Sequence, residues 1–272
     1  MIKPLFRAVG CTALALGLLL ALPFTASAGQ TVIIDGKTVS LTVMGNSPNT
    51  NGEWNWPGPG QLGGSNNNTV IIRNGSIVEN EVYGGYTDLA TGNARASGNR
   101  VTIIGSTVEG DVYGGFADTS SGNATATHNT VTIMGNSTFD EVESILYGGF
   151  GTGIGCVTDV FTGNTLNVWN YRGSPVAGVE NFEFFNFVFP VTQGDDPVLT
   201  VKGDAVLGDG AGRGSTVTAS TIGGPPPLQP GATVVTLIDA SLESAISLKN
   251  RPRACTGLPC AIAGRWARVT TW

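Results

Sequence analysis

Asn99-Arg100-Val101-Thr102-Ile103 decides the fold, because the chain repeats it. It stands upstream as Asn68-Thr69-Val70-Ile71-Ile72 and downstream as Asn129-Thr130-Val131-Thr132-Ile133. It returns more loosely as Asn164-Thr165-Leu166-Asn167-Val168. The asparagines are 31, 30 and 35 residues apart. Self-similarity at a near-constant period of this length marks stacked structural repeats. A second motif follows in each unit: Val82-Tyr83-Gly84-Gly85-Tyr86, Val112-Tyr113-Gly114-Gly115-Phe116 and Leu146-Tyr147-Gly148-Gly149-Phe150. A third, Thr91-Gly92-Asn93-Ala94, matches Ser121-Gly122-Asn123-Ala124.

Each unit reads as two or three short strands punctuated by Gly and Asn turns. Alternation sets the faces: Val101 and Ile103 point inward and Thr102 outward, and Val131, Thr132 and Ile133 repeat this. Val108 and Val112 also face in, with Glu109 and Asp111 out. No single unit holds enough apolar residues for its own core, so the units must stack to bury one. The expected fold is all-β, a right-handed parallel β-helix or solenoid of roughly 30-residue repeats. A β-sandwich with similar strands is the competing architecture. Asn tolerates left-handed turns, and stacked Asn side chains hydrogen-bond along a ladder. The tyrosines and phenylalanines flanking the Gly-Gly pair stack in the same way. The pair itself permits a sharp corner where a Cβ would clash.

Working outward, residues 67–170 are the solenoid repeats. Residues 29–66 read as an N-terminal cap or linker. They hold one strand-like run, Thr31-Val32-Ile33-Ile34, and the turn-rich Trp54-Asn55-Trp56-Pro57-Gly58-Pro59-Gly60. That turn covers the open end of the solenoid, or its two tryptophans stack on a sugar. Residues 171–246 form a different β segment. It includes Asn181–Phe189, where aromatic and polar residues alternate except at Phe184-Phe185 and Val188, and Val198–Val201 and Thr233–Ile238. Pro225-Pro226-Pro227 marks a loop. Residues 247–272 contain Lys249, Arg251, Arg253, Arg265 and Arg268 and no acid, without alternation. They read as a disordered or out-of-frame tail.

Residues 1–28 read as a signal peptide. Lys3 and Arg7 precede an apolar run, Thr12–Phe24, and Ala26-Ser27-Ala28 gives the cleavage pattern. The apolar run falls short of the roughly 20 residues that span a bilayer. Without Lys3 and Arg7, 12 of the 14 basic residues remain against 20 acidic ones. That balance excludes a nucleic-acid binder, which needs clustered Lys and Arg. Gly is abundant at 40 residues and charge is low at 12%, as in exported β proteins. Cys156, Cys255 and Cys260 remain after cleavage, an odd number, and Cys255 with Cys260 suits a small disulfide loop.

These Asn-x-Val-x-Ile and Val-Tyr-Gly-Gly-aromatic units resemble the passenger repeats of bacterial autotransporters, the type V secretion proteins. Val179-Glu180-Asn181-Phe182-Glu183, Leu199-Thr200-Val201 and Val235-Thr236-Leu237-Ile238-Asp239-Ala240 resemble the end of such passengers. The resemblance spans residues 67–246. It implies a right-handed parallel β-helix at the cell surface, often adhesive, followed by an outer-membrane barrel. A barrel needs at least eight strands of about 10 alternating residues. No such strands are legible after Ala240, so the expectation is a passenger truncated before its barrel.

Candidate chemistry is sparse. His128, the one histidine, occupies the place of Gly98 in the preceding unit and reads as a loop residue. No Gly-x-Ser-x-Gly elbow accompanies it, and Cys156 is given no catalytic role. Glu79, Glu109 and Glu143 fall at equal distances before Tyr-Gly-Gly, as do Glu81 and Asp111. Stacked about 4.8 Å apart, they would form an acidic column that Ca²⁺, which prefers several oxygen ligands, would relieve. A solvated acidic face is the simpler reading. No catalytic, cofactor or metal residue is assigned.

The expected function is a non-enzymatic, exported surface or secreted β-solenoid, acting as an adhesin or a stalk. Its expected partner is a host surface protein or glycan, with no nucleic acid and no transmembrane segment in the mature chain. It is exported through the inner membrane, to the cell surface or outer membrane if the full system is intact, otherwise to the periplasm or medium. The alternatives are a β-helical polysaccharide-processing enzyme using the acidic column and a non-functional fragment of a longer autotransporter.

Overall fold

The computed structural model describes residues 29–47, 53–54, 65–153, 157–190, 196–223 and 235–240. The signal-peptide region, Trp56, Cys156, Cys255, Cys260, Pro225–Pro227 and the tail at 247–272 lie outside them. Among the described residues there is no helix, and so none long and apolar enough to cross a membrane.

The chain is an all-β solenoid of about four turns, with parallel strands stacked about 32 residues apart. One wall is a seven-stranded sheet built, in order, from Thr31–Asp35, Thr69–Arg73, Arg100–Ile104, Thr130–Met134, Thr165–Trp169, Phe184–Pro190 and Thr216–Ile222. Every neighbouring pair in it is parallel and in register, for example Val70↔Val101↔Val131↔Leu166. A sandwich of antiparallel sheets cannot give this pattern. The alternation follows the expected faces: Val101 and Ile103 are fully buried while Thr102 is only half-buried.

Each regular turn leaves this wall for four shorter strands. In one turn these are Thr107–Val108, Val112–Tyr113, Phe116–Thr119 and Ala124–Thr125. The cross-section has two lobes. The larger holds the continuous apolar column that includes Val101, Ile103, Val108 and Val112. The smaller has only a thin alanine core, Ala94, Ala96, Ala117 and Ala124. Fully burying one Val or Ile contributes roughly 1.5–3 kcal/mol, so the large lobe supplies most of the stacking energy.

The long wall crosses both boundaries drawn from sequence. Thr31–Asp35 pairs in register with Thr69–Arg73, and Thr42–Met44 pairs with Val82–Tyr83. Residues 31–44 are therefore a first rung. The short strand Glu53–Trp54 lies antiparallel on Thr42–Val43, at the end of that sheet. Beyond residue 170 the wall continues through Phe184–Pro190 and Thr216–Ile222.

The rungs change there. Thr165 pairs with Phe184, an offset of only 19 residues. After Gly178–Glu180 the chain returns at once to the long wall and skips the small lobe. Phe182, fully buried, lies against Gly148 at that point. Phe185, Phe187 and Phe189 then replace the Val and Ile of earlier rungs.

Candidate functional site

The repeated asparagines form an internal ladder at the waist between the lobes. Asn68, Asn99, Asn129 and Asn164 have no exposed surface. Each Nδ2 donates to the Oδ1 of the next: Asn68 to Asn99 at 3.1 Å, Asn99 to Asn129 at 3.0 Å and Asn129 to Asn164 at 3.3 Å. The same oxygens accept backbone N–H bonds, as from Asn99 to Asn129 at 3.0 Å. A buried amide left without a partner costs about 1–3 kcal/mol, which explains why a polar residue is kept at this interior position. The left-handed geometry belongs to the residue before each ladder asparagine: Asn67, Gly98, His128 and Gly163 all have φ between 58° and 72°.

That placement explains His128. It is exposed and sits at a left-handed position, and its ring lies over the Gly163 of the next turn. The Gly-Gly pair has a packing origin. A methyl group on Gly115 would come within 2.6 Å of both Ala96 O and Asn129 Nδ2. The ladder amide fills the space that a side chain would occupy.

On the outer side of this corner two aromatic columns meet. Tyr83, Tyr113 and Tyr147 stack with centroids 4.7 and 4.9 Å apart and planes within 4°. Tyr86, Phe116 and Phe150 stack at 5.1 and 5.3 Å. The columns face each other edge-on, as for Tyr113 and Phe116 at 5.3 Å and 86°. Ring faces within each column cover one another, so these aromatics present edges rather than a platform. Burial, together with neighbouring acids, pushes the pKa of all three stacked tyrosine hydroxyls above the usual value and keeps them protonated.

The register divides the acidic column. Val108 pairs with Phe139, which places Asp140, not Glu143, beside Glu109. Three extra residues between Phe139 and Leu146, compared with Val108 to Val112, displace Glu143 into a turn. There its N–H donates to Asp140 Oδ1 at 3.0 Å. Glu81 and Asp111 are neighbours, but the next member is Ile145, whose N–H donates to Asp111 Oδ1 at 2.8 Å. The other Asp111 oxygen accepts the Tyr113 hydroxyl at 2.9 Å, and Glu81 accepts Thr42 Oγ1 at 3.1 Å. Burial raises the carboxyls of Asp111 and Glu180 above the usual range, and Asp204 and Asp111 add to it at Glu180. No group of three or more His, Cys, Asp and Glu among the described residues lies close enough to hold a metal ion.

Sequence reasoning missed two features. The loop 209–213 is clamped to the turn at 159–163 by Arg213. Its Nε bonds Asp209 at 2.6 Å, its Nη1 donates to Thr162 Oγ1 at 2.6 Å, and its guanidinium covers the Phe161 ring at 5.2 Å. Against the penalty of partial burial, hydrogen bonds from Thr162 and Phe161 hold Asp159 below the usual carboxylate range, and those from Arg213 and Ala211 do the same for Asp209. Nothing in the local sequence signals a contact 51 residues away. The other feature is the outward face of the long wall. It carries a second polar ladder: Asn167 Nδ2 to Thr132 Oγ1 at 3.1 Å, Asn186 Nδ2 to Asn167 Oδ1 at 3.0 Å, and Thr218 Oγ1 to Asn186 Oδ1 at 2.7 Å. Period-two alternation was the signal for it.

No protein-family model, curated protein or solved structure matches this chain.

Proposed function

We propose that this chain is an exported, non-enzymatic β-solenoid whose work is to present a surface, as an adhesin or as a stalk. One observation carries the reading. The outward face of the seven-stranded wall runs unbroken from Thr31 to Ile222, while the repeated Asn, Gly, Tyr and Phe are engaged in holding the rungs together. The repeat thus builds a scaffold, and the variable outward positions are free to carry recognition. The two raised carboxyls at Asp111 and Glu180 do not require catalysis, because structural burial also shifts acids. The signal-peptide pattern at residues 1–28 and the resemblance to autotransporter passengers support a proposed location outside the inner membrane.

Binding of the folded mature chain to arrays of glycans and immobilised matrix proteins tests adhesion. Saturable binding is expected. Its absence in a correctly folded sample reduces the role to a stalk. Fractionating cells that express residues 1–272 tests export, with loss of the first 28 residues expected.

A further inference from the structure

We infer that the outward face of the long wall around Trp169 is a binding site for a polysaccharide chain without cationic groups. This rests on the surface-presenting role proposed above and names the ligand for it.

Three observations converge. The first is a strip of apolar side chains in register, Ile104 and Trp169 exposed and Met134 and Val188 half-buried, which occupy one outward column across four successive strands. Trp169 is 47% exposed and Ile104 37%. Single exposed apolar residues are ordinary, but a contiguous strip marks an interaction surface. The Trp169 indole meets no other ring among the described residues, unlike the self-covering Tyr and Phe columns. Nearly half of the Trp169 surface is therefore open to solvent, and its N–H donor has no partner among the described residues.

The second is the polar ladder beside it. Asn167 lies two residues from Trp169 on the same outward side of one strand, a separation of about 7 Å. Asn186 lies next to Asn167 on the adjoining strand. Each carboxamide uses one N–H and one oxygen lone pair in the ladder and keeps another of each. An apolar ring face flanked by paired donors and acceptors matches a pyranose, which has an apolar C–H face and a rim of hydroxyls.

The third is size and charge. The outward side of the wall measures about 29 by 17 Å at ordinary strand spacing and rise. That is roughly 500 Å², short of the about 800 Å² per partner of a stable protein interface. A second copy is therefore a poor occupant, whereas an extended chain of several sugars fits the long dimension. Of its charges, Asp35 and Arg73 neutralise each other at 2.7 Å, and Arg100 is left. On a chain with net charge −6, this face has no unpaired acid among the described strands. Neutral or acidic sugars are accepted there without repulsion.

The test uses the mature chain, residues 29–272, on an array of neutral and acidic oligosaccharides, followed by titration of the best binder. Trp169→Ala should weaken binding at least tenfold, and Trp169→Phe should stay within threefold of the parent. Ile33→Ala, at the far end of the same face, should change nothing. Because a variant can misfold, the bound oligosaccharide is also tested for protecting Trp169 of the unaltered chain from oxidation, read by mass spectrometry; protection is expected. Equal affinity of the parent and Trp169→Ala, or absence of protection, overturns the site but leaves the surface-presenting role. Capture of a matrix protein without any oligosaccharide overturns the glycan inference alone. No binding at all overturns the glycan inference and reduces the proposed role to a stalk.

Discussion

The regular turns at residues 68–164 and the later rungs at 165–222 share one wall but are held by different means. The regular turns repeat small units: Val and Ile inward, a buried Asn at the waist, and a Gly-Gly corner shaped to the Asn. The later rungs drop the small lobe and the ladder. Glu183 stands where the next Asn would be, and its carboxylate accepts Gly163 N–H. Bulk takes over, through Phe182, Phe185 and Phe187, and the Arg213 clamp ties a long return loop down. In-register columns secure identical turns without any strong contact. Once the turn length changes, the columns lose register, and large side chains and specific clamps must replace them.

The largest expected effect lies in the later rungs. Phe187→Ala should cost about 3–5 kcal/mol, as for other buried phenylalanines, measured by urea unfolding. Asn129→Ala comes next, at about 2–4 kcal/mol, since it strands two buried donors of Asn99. If Asn129→Ala costs under about 1 kcal/mol, comparable to a surface change, the ladder is not what holds the regular turns. Arg213→Gln should be smaller, about 1 kcal/mol or less, because the guanidinium is half exposed and screened. Its effect should shrink further in high salt.

Acid titration separates two sets of carboxyls by sign. Burial raises the carboxyls of Asp88, Asp111 and Glu180, and Asp118 adds to it at Asp88. Their folded forms hold protons more tightly than the unfolded chain does. Their penalty therefore grows as pH climbs from the ordinary values, 3.8 for Asp and 4.5 for Glu, through the raised ones. Asp159 and Asp209 at the clamp are lowered. Their contribution is full above pH 3.8 and is lost as pH falls through the lowered values. Thermal melting should thus rise as pH drops from neutrality toward 4.5, then fall once pH passes below 3.8. The later fall should be weaker in Arg213→Gln.

How legible was this in the sequence? The columns were, because each repeats one residue type at one offset: Asn68 to Asn164, Tyr83 to Tyr147, Val101 and Ile103 beside Val131 and Ile133. Their physical causes were only partly so. The Gly-Gly pair serves a side chain 14 residues away, and the left-handed turn falls one residue before the asparagine. Counting back from Tyr147 misplaced Glu143, because three inserted residues change the count without changing the motif. The first rung escaped notice since Val43-Met44-Gly45 substitutes Met for Tyr, although Met44 pairs with Tyr83. The recognition face at Trp169 was legible only once the register placed Ile104, Met134 and Val188 beside it.

Register is the central claim, and a disulfide tests it most directly. In a chain whose native cysteines are changed to serine, cysteines are placed at two outward positions of the long wall. Thr102 and Thr132 are direct partners, so Thr102→Cys with Thr132→Cys should oxidise to an intramolecular bond under mild conditions, within the 4.4–6.8 Å Cα range that disulfides accept. Thr102→Cys with Thr130→Cys is offset by two residues, about 8 Å diagonally, and should stay reduced. Equal oxidation of both pairs, or bonding only in the offset pair, would contradict a solenoid stacked with this 30-residue register.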